Sequence, residues 1–214
     1  TQWLNVQGGI ISDLTITRLG EQEYMLVTGD VLQRITLSWL RQHTEADEQC
    51  TVTDVTSAYT LLSLQGPRSR DLLQAISGAD LSTEAVPFRA SCEIELGFAR
   101  LLLVRITYMG ELGYELYIPT EYSHTVYDAL VEGIEGQGVS LVHGGLMALD
   151  SLRLEKGYRD FGVDIDNTDT PLEAGLGFVV DFNKEHFIGR DVLLAQKESG
   201  PLKKRLLQFL LKDA

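Results

Sequence analysis

Side chains alternate with period two through Ile10-Ile-Ser-Asp-Leu-Thr-Ile-Thr-Arg18. Ile10, Ser12, Leu14 and Ile16 fall on one face, and Ile11, Asp13, Thr15 and Thr17 on the other. That spacing predicts a strand. Tyr24–Gly29 predicts a second strand after the turn at Leu19-Gly-Glu-Gln. The preceding Gly8-Gly9 joint lets the backbone approach a neighbour closely. Asp30 is placed to cap a helix through Leu32, Ile35, Leu37, Trp39 and Leu40, whose apolar positions fit a helical face only in part. The polar run from Arg41 to Gln49 ends it. Cys50–Thr56, rich in β-branched residues, reads as a further strand and completes a β-β-α-β order.

Tyr59–Gln65 predicts a strand that stops at Gly66-Pro67, because the residue before a proline is restricted. Pro67 then suits the first turn of a helix carrying Leu72, Leu73 and Ile76. Gly66-Pro-Arg-Ser-Arg reads as a tight turn with two exposed arginines, since its spacing is not that of a nucleotide-binding glycine loop. Pro87–Gly97 and Ala99–Tyr108 predict two strands joined around Gly97. Gly113–Ile118 pairs back on Leu101–Tyr108 as a hairpin over Gly110 and Glu111. Within it Tyr114 and Leu116 face one way, Glu115 and Tyr117 the other. Glu121–Gly133 predicts an amphipathic helix burying Val126, Leu130 and Val131, and Val139–Val142 a short strand. The segment from Tyr59 to Val142 thus reads as a split β-α-β-β-α-β arrangement on an antiparallel sheet.

After His143-Gly-Gly, a helix from Leu146 turns Leu146, Leu149, Leu152 and Leu154 to the core and ends on Gly157 as its C-cap. Tyr158–Glu173 is acidic and irregular. It lacks the offsets of a calcium loop, so Asn167, Thr168 and Thr170 are expected to make turn and cap hydrogen bonds. Gly175–Val180 returns as a strand. A helix follows Phe187-Ile-Gly-Arg-Asp with Leu193 and Leu194 inward, Gly200-Pro201 ends it, and Leu206–Leu211 begins another strand.

Composition narrows the chemistry. The 214 residues, 44% hydrophobic and 23% charged, suit a folded chain with one generous core or two smaller ones. A net charge of −13, from 31 acidic and 18 basic residues, argues against a nucleic-acid backbone as main partner. Cys50 and Cys92 are too few for a disulfide scaffold or thiolate cluster, and free thiols in a reducing compartment are expected. No stretch reads as a membrane span, and Thr1-Gln-Trp-Leu lacks an export pattern. The missing initiator Met, early apolar Trp3 and Leu4, and unpartnered terminal apolar run predict a portion of a longer protein. His43 reads as a surface residue and His143 as a contact at a helix start. His143 has no His or Cys partner at ligand spacing. Asp13 either helps a bend or stands at a strand start beside a ligand. Glu115 either belongs to an exposed sheet face or lines a pocket and accepts N–H donors.

Five motifs then follow in order: Gly8-Gly-Ile-Ile-Ser-Asp-Leu, Leu64-Gln-Gly-Pro, Tyr108-Met-Gly-Glu-Leu-Gly-Tyr-Glu, Asp150-Ser-Leu-Arg-Leu-Glu and Asp164-Ile-Asp-Asn-Thr-Asp-Thr-Pro-Leu-Glu. Each is weak alone, but the ordered set resembles the folate-binding aminomethyltransferase family, that of the glycine-cleavage T-protein. Leu103-Val-Arg-Ile-Thr-Tyr and Phe187-Ile-Gly-Arg-Asp-Val-Leu-Leu-Ala-Gln-Lys are closer to the module behind the flavin domains of sarcosine and dimethylglycine dehydrogenases.

The resemblance implies an α+β fold: antiparallel sheets with packed helices in two interleaved modules, without the family's C-terminal barrel. The implied partition is 1–57 as the first part of the folate-binding module, 58–142 as the split module, and 143–214 as the return. It implies tetrahydrofolate as cofactor, with Asp13 near its reactive nitrogens as catalytic residue, Glu115 on the pterin, and Tyr108 and Leu64 shaping the pocket. No metal is implied. FAD would reside only on another domain or partner.

The implied activity is capture of the carbon of an oxidised N-methyl amine on tetrahydrofolate, giving 5,10-methylene-tetrahydrofolate, within a sarcosine/dimethylglycine dehydrogenase-like protein. The alternatives are a lipoyl-protein-dependent aminomethyltransferase and a non-catalytic folate-binding or regulatory subunit. Leu149 stands where T-protein usually has Arg, which removes a guanidinium for anion contact and favours the dehydrogenase branch. The location implied is cytoplasmic, or the mitochondrial matrix in a eukaryote.

Overall fold

The computed structural model describes residues 1–45, 48–135, 138 and 140–212. The chain divides into two compact units. Thr1–Val52 and Arg159–Ala214 form one, and Thr53–Tyr158 is inserted between them. By contacts, the helix starting at Leu146 groups with the inserted unit. The fold is α+β, with one open sheet in each unit.

The first unit carries a three-stranded antiparallel sheet, β1 (Gln2–Leu4), β2 (Ile10–Arg18) and β3 (Tyr24–Thr28), with β2 central. β1 was not foreseen, because three residues are too few to show a period. Its pairing Gln2↔Asp13 and Trp3↔Ser12 sets which side chains meet across the sheet. Ile10, Ser12 and Leu14 are buried, as the alternation requires, but beyond Leu14 the pattern reverses: Ile16 is exposed and Thr17 buried. A single 3-10 turn, Asp30–Leu32, leads into α1 (Gln33–His43). The Asp30 carboxylate accepts the Val31 N–H at 2.8 Å, but the α-helix itself begins at Gln33 without a side-chain cap. Trp39 of α1 stacks on Trp3 at 6.3 Å between ring centroids.

The expected strand at Cys50–Thr56 does not form. Residues 50–55 are exposed and irregular, and Thr56–Ala58 is a 3-10 turn. β-branched composition gives no strand where there is neither a partner edge nor a buried face. Gly175–Val180 is likewise no strand. Ala174 N–H donates to Thr170 O, Leu176 N–H to Pro171 O and Val179 N–H to Leu176 O, so the chain winds through consecutive turns into a 3-10 turn at Gly177–Val179. Nor is Leu206–Leu211 a strand. One backbone bond, Leu206 N–H to Glu173 O at 2.9 Å, ties its start, and Phe209–Leu211 are exposed. α5 (Arg190–Glu198) forms as predicted and buries Leu193 with Leu4, Ile10, Ile165 and Ala174.

The Gly8-Gly9 joint does permit a close approach. A Cβ on Gly9 would stand 2.3 Å from Asn167 O and 2.9 Å from Asn5 Nδ2. The next residue, Ile10, donates its N–H to Asp169 O at 2.9 Å. The acidic loop is thereby clamped to the start of β2. Its acids serve its own turns, as expected for Thr168 and Thr170. The Thr168 hydroxyl and N–H both donate to Asp166 Oδ1 at 2.7 Å and hold its carboxyl below the usual range. The Thr170 N–H and hydroxyl donate to Glu173 at 3.1 Å, and Lys204 pairs with Asp169 at 2.8 Å.

In the inserted unit, β4 (Tyr59–Gln65), β5 (Ser91–Leu96), β6 (Ala99–Val104) and β7 (Gly113–Pro119) form an antiparallel sheet in the order β4-β7-β6-β5. α2 (Ser69–Ser77) and α3 (Ser123–Glu132) pack on one face through Leu72, Leu73, Val126 and Leu130. The observed order is β-α-β-β-β-α. Ser140–Val142 form no strand, and Val139 lies outside the described residues. Arg68 is exposed as predicted, but Arg70 is engaged, donating to the Tyr114 hydroxyl at 3.1 Å and to Thr83 at 3.2 Å.

α4 (Leu146–Glu155) reverses the expected amphipathicity. Leu146 and Met147 are 80% and 88% exposed, whereas Arg153 is 3% exposed. Arg153 donates to the Tyr158 carbonyl at 3.3 Å and pairs with Asp150 at 3.4 Å. Gly157, at φ +71°, ends the helix as predicted, with Tyr158 N–H bonding back to Arg153 O. The helix is therefore anchored by its polar exit and not by its leucines.

Replacing Gly9 by Ala forces a Cβ onto the Asn167 carbonyl and is expected to destabilise the first unit by about 1–3 kcal/mol. Gly20→Ala, with 3.6 Å to its nearest neighbour, is the matched control. Equal urea midpoints for the two variants would refute the close approach.

Candidate functional site

β7 lies between β4 and β6, so its side chains must divide between two faces. Tyr114, Leu116 and Ile118 are fully buried beneath the helices. Glu115 and Tyr117 take the opposite face, as the alternation predicts. There Glu115 stands across from Ser63 on β4 and Val104 on β6, and Tyr117 across from Leu61 and Leu102. This face is only partly covered, with Leu61 45% exposed and Tyr117 5%.

The Tyr117 hydroxyl donates to Glu115 Oε2. Burial, and then the charge of Glu115, push the Tyr117 phenol above its ordinary pKa. It therefore stays a proton donor throughout the neutral range. Beside the pair, Gln65 Nε2 donates to Ser63 Oγ at 2.8 Å. The amide fits because Gly113 has no side chain, and a Cβ there would fall 1.7 Å from Gln65 Oε1. Neither Tyr117 nor Ser63 was singled out in the sequence as a site residue. The available signal was positional: one lies two residues beyond Glu115 on its strand, the other directly across the ladder.

Tyr108 lies in the eight-residue connection from β6 to β7 (105–112), with its ring parallel to Tyr158 at 6.0 Å and 8°. The same connection crosses the end of α4. Gly110 adopts φ +80°, and a Cβ on it would meet Lys156 Cγ and Cδ at 2.6 Å. Met109 and Gly110 N–H groups both donate to Thr107 Oγ1 at 3.1 Å. The Tyr-x-Gly-Glu segment is thus a built corner. Leu64 pairs with Tyr114 and sits in the helix-covered core, on the face opposite Glu115.

Asp13 belongs to the other unit, on the face of β2 away from Ile10, Ser12 and Leu14. Its partner across the ladder, Gln2, donates Nε2 to Asp13 Oδ1 at 3.0 Å. Desolvation by surrounding protein atoms raises the Asp13 pKa above the usual value, with the Gln2 bond and the Leu14 N–H pulling the other way. By surface area Asp13 is nonetheless exposed, so the crowding of nearby protein atoms is partly screened by water and the group is accessible. Perturbed carboxyls of this kind are candidates for proton transfer.

Two shallow recesses, of about 410 and 260 Å³, run along the outer side of α1 between Arg34 and Gln42 and include none of these residues. Among the described residues no group of three His, Cys, Asp or Glu is arranged to hold a metal. Also among them, no helix is long and apolar enough to cross a membrane. Cys50 and Cys92 are free thiols.

A family model described as the GCVT N-terminal domain matches residues 1–184. The chain belongs to the GCVT family. It is 40% identical to an aminomethyltransferase of Halothermothrix orenii, the match covering 96% of this chain and 56% of that protein. It is 36% identical to the mitochondrial sarcosine dehydrogenase of Mus musculus, covering 100% of this chain and 24% of that protein. The crystal structure of the glycine cleavage system aminomethyltransferase T from Bartonella henselae superposes with a TM-score of 0.77 at 30% identity, covering 94% of this chain and 52% of that one. The chain thus spans about half the length of the aminomethyltransferases it matches and a quarter of the dehydrogenase. The GCVT fold inferred from the five motifs is the fold observed.

A raised Asp13 pKa means the native state holds its proton to higher pH than the unfolded chain does. Stability contributed at this site is therefore present at low pH and lost as pH rises through the raised value. Asp13→Asn, which keeps an acceptor for Gln2, is expected to raise the melting temperature at pH 7. The gain should begin to shrink as pH falls through the raised value and be gone below the ordinary aspartate range, about 4. A gain that is constant with pH, or a loss at pH 7, would contradict the desolvation of Asp13.

Proposed function

We propose that this chain is the folate-binding part of a one-carbon transferase of the aminomethyltransferase type, acting on tetrahydrofolate. The observation that carries the reading is Glu115: a half-buried carboxylate, bonded by Tyr117, on the partly covered face of a sheet whose other face is core. An ionised carboxylate only accepts hydrogen bonds. It suits the N–H edge of an amino-pyrimidine, with Tyr108 in the adjoining corner and Leu64 supporting the sheet from beneath. Tetrahydrofolate, when bound, supplies the amine that takes up the carbon. The chain binds and orients it, and Asp13 exchanges a proton or offsets positive charge near the reacting nitrogens. The raised Asp13 pKa supports that role, as does the 40% identity to an aminomethyltransferase over nearly the whole chain.

In the leading form the one-carbon donor is an aminomethyl group on a lipoyl protein, and ammonia is released. A second reading rests on Leu149, a half-buried aliphatic side chain in the first turns of α4, which supplies no cation for an anionic substrate group. There the donor is an oxidised N-methyl amine such as sarcosine provides, delivered by a flavin domain or partner that holds FAD. Ammonia release from an aminomethyl-lipoyl donor selects the first. Methylene-tetrahydrofolate formed only with an N-methyl amine and a flavin oxidase selects the second. Saturable folate binding with neither activity selects a non-catalytic folate-binding subunit.

In the full-length protein, Glu115→Gln is expected to weaken tetrahydrofolate binding by about 10- to 100-fold, the range of a hydrogen bond to a charged group. Asp13→Asn should lower methylene-tetrahydrofolate formation by about 100-fold or more while changing the Kd little. Unaltered titration by the Glu115 variant, or full turnover by the Asp13 variant, would remove that residue from the site.

A further inference from the structure

The Glu115–Tyr117 pair carries an inference beyond folate recognition itself, although it rests on that reading. A glutamate on a sheet face has three rotatable side-chain bonds. Fixing a long polar side chain on binding costs about 1.5–2 kcal/mol of rotamer freedom. A carboxylate that must present two oxygens in the plane of a flat ligand edge therefore gains from being held beforehand.

On β7 the holding group is at hand. Residues 115 and 117 share a face, and the Tyr117 hydroxyl donates to Glu115 Oε2. Tyr117 is itself fixed, being 5% exposed, while its ladder neighbour Leu61 is open to solvent. One lone pair of Oε2 is thus occupied, and Oε1 with the remaining lone pair of Oε2 stays free for N–H donors. No other side chain among the described residues bonds to Glu115 in this arrangement, so its orientation depends on this one phenol.

We propose that Tyr117 is a positioning residue. Its hydroxyl sets the rotamer of Glu115 and thereby tunes recognition of the 2-amino group of the pterin, without touching the ligand.

Tyr117→Phe tests this, because it keeps the buried ring and removes only the oxygen. In the full-length protein this variant should bind tetrahydrofolate about tenfold more weakly, the range for one hydrogen bond to a charged partner. The melting temperature should stay close to that of the wild type. For a tetrahydrofolate analogue lacking the 2-amino group, wild type and variant should bind alike. In a Glu115→Gln background, Tyr117→Phe should add no further loss, since the two residues act as a unit.

A tenfold loss for both ligands, or losses that simply add in the double variant, would show a general packing role and overturn the proposal. So would unchanged binding of tetrahydrofolate by Tyr117→Phe while Glu115→Gln still weakens it. Absence of saturable binding by the wild-type protein would instead sink the folate reading on which this rests.

Discussion

Strand β7 is the constraint on which the inserted unit depends. It pairs with β4 along its whole length and with β6 at Leu116, Tyr117 and Glu115. Its apolar set, Tyr114, Leu116 and Ile118, is fully buried. Each such side chain contributes about 1.5–3 kcal/mol by leaving water. A slip of one residue would expose all three and bury Glu115. The packing energy of one face therefore fixes the chemistry of the other. Glu115 stands on the open side because its neighbours cannot.

The first unit reaches the same end by a different device. Its sheet has only three strands, and no strand is as thoroughly buried as β7. What locates the start of β2 is the absence of side chains at Gly8 and Gly9. It lets the Asn167 backbone press against Gly9, and Asp169 O accept the Ile10 N–H. The loop acids that look like a ligand cluster are consumed in turns and in the Lys204 pair, which hold that loop in place for the clamp. Asp13 follows three residues later on the face away from the core, where a short strand brings Gln2 to it.

Period-two alternation was legible wherever one face is buried. It gave β7 and β2 as far as Leu14, beyond which Ile16 is exposed and Thr17 buried, and it separated Glu115 and Tyr117 from Tyr114 and Leu116. Helices with a cap or breaker at their ends were legible too, from Pro67 before α2 and Gly157 after α4. Composition without a partner was not. Cys50–Thr56 and Leu206–Leu211 have strand-forming residues but no partner strand among the described residues, and Gly175–Val180 is drawn into turns by its own backbone bonds. β1 escaped because three residues carry no period. α4 was misread because a leucine count does not reveal which side a helix is anchored by. The candidate residues Asp13 and Glu115 are legible from ordered motifs and strand register together. Tyr117 could be found only from the hydrogen bond that its strand position allows.

α4 also bears on how much weight its motif deserves. Asp150-Ser-Leu-Arg-Leu-Glu looks like a charged recognition sequence, yet Arg153 is turned inward, bonds the Tyr158 carbonyl and pairs with Asp150. A guanidinium committed to closing a helix end is poorly placed to greet a substrate anion as well, because each donor used internally is one fewer for a ligand. The motif therefore identifies the family by a folding device. The adjoining position, where a cation could act outward, holds Leu149. Neither residue, then, offers an outward cation to an anionic group. The carboxylate this chain does turn outward is Glu115, and the hydroxyl that bonds it lies two residues along the same strand.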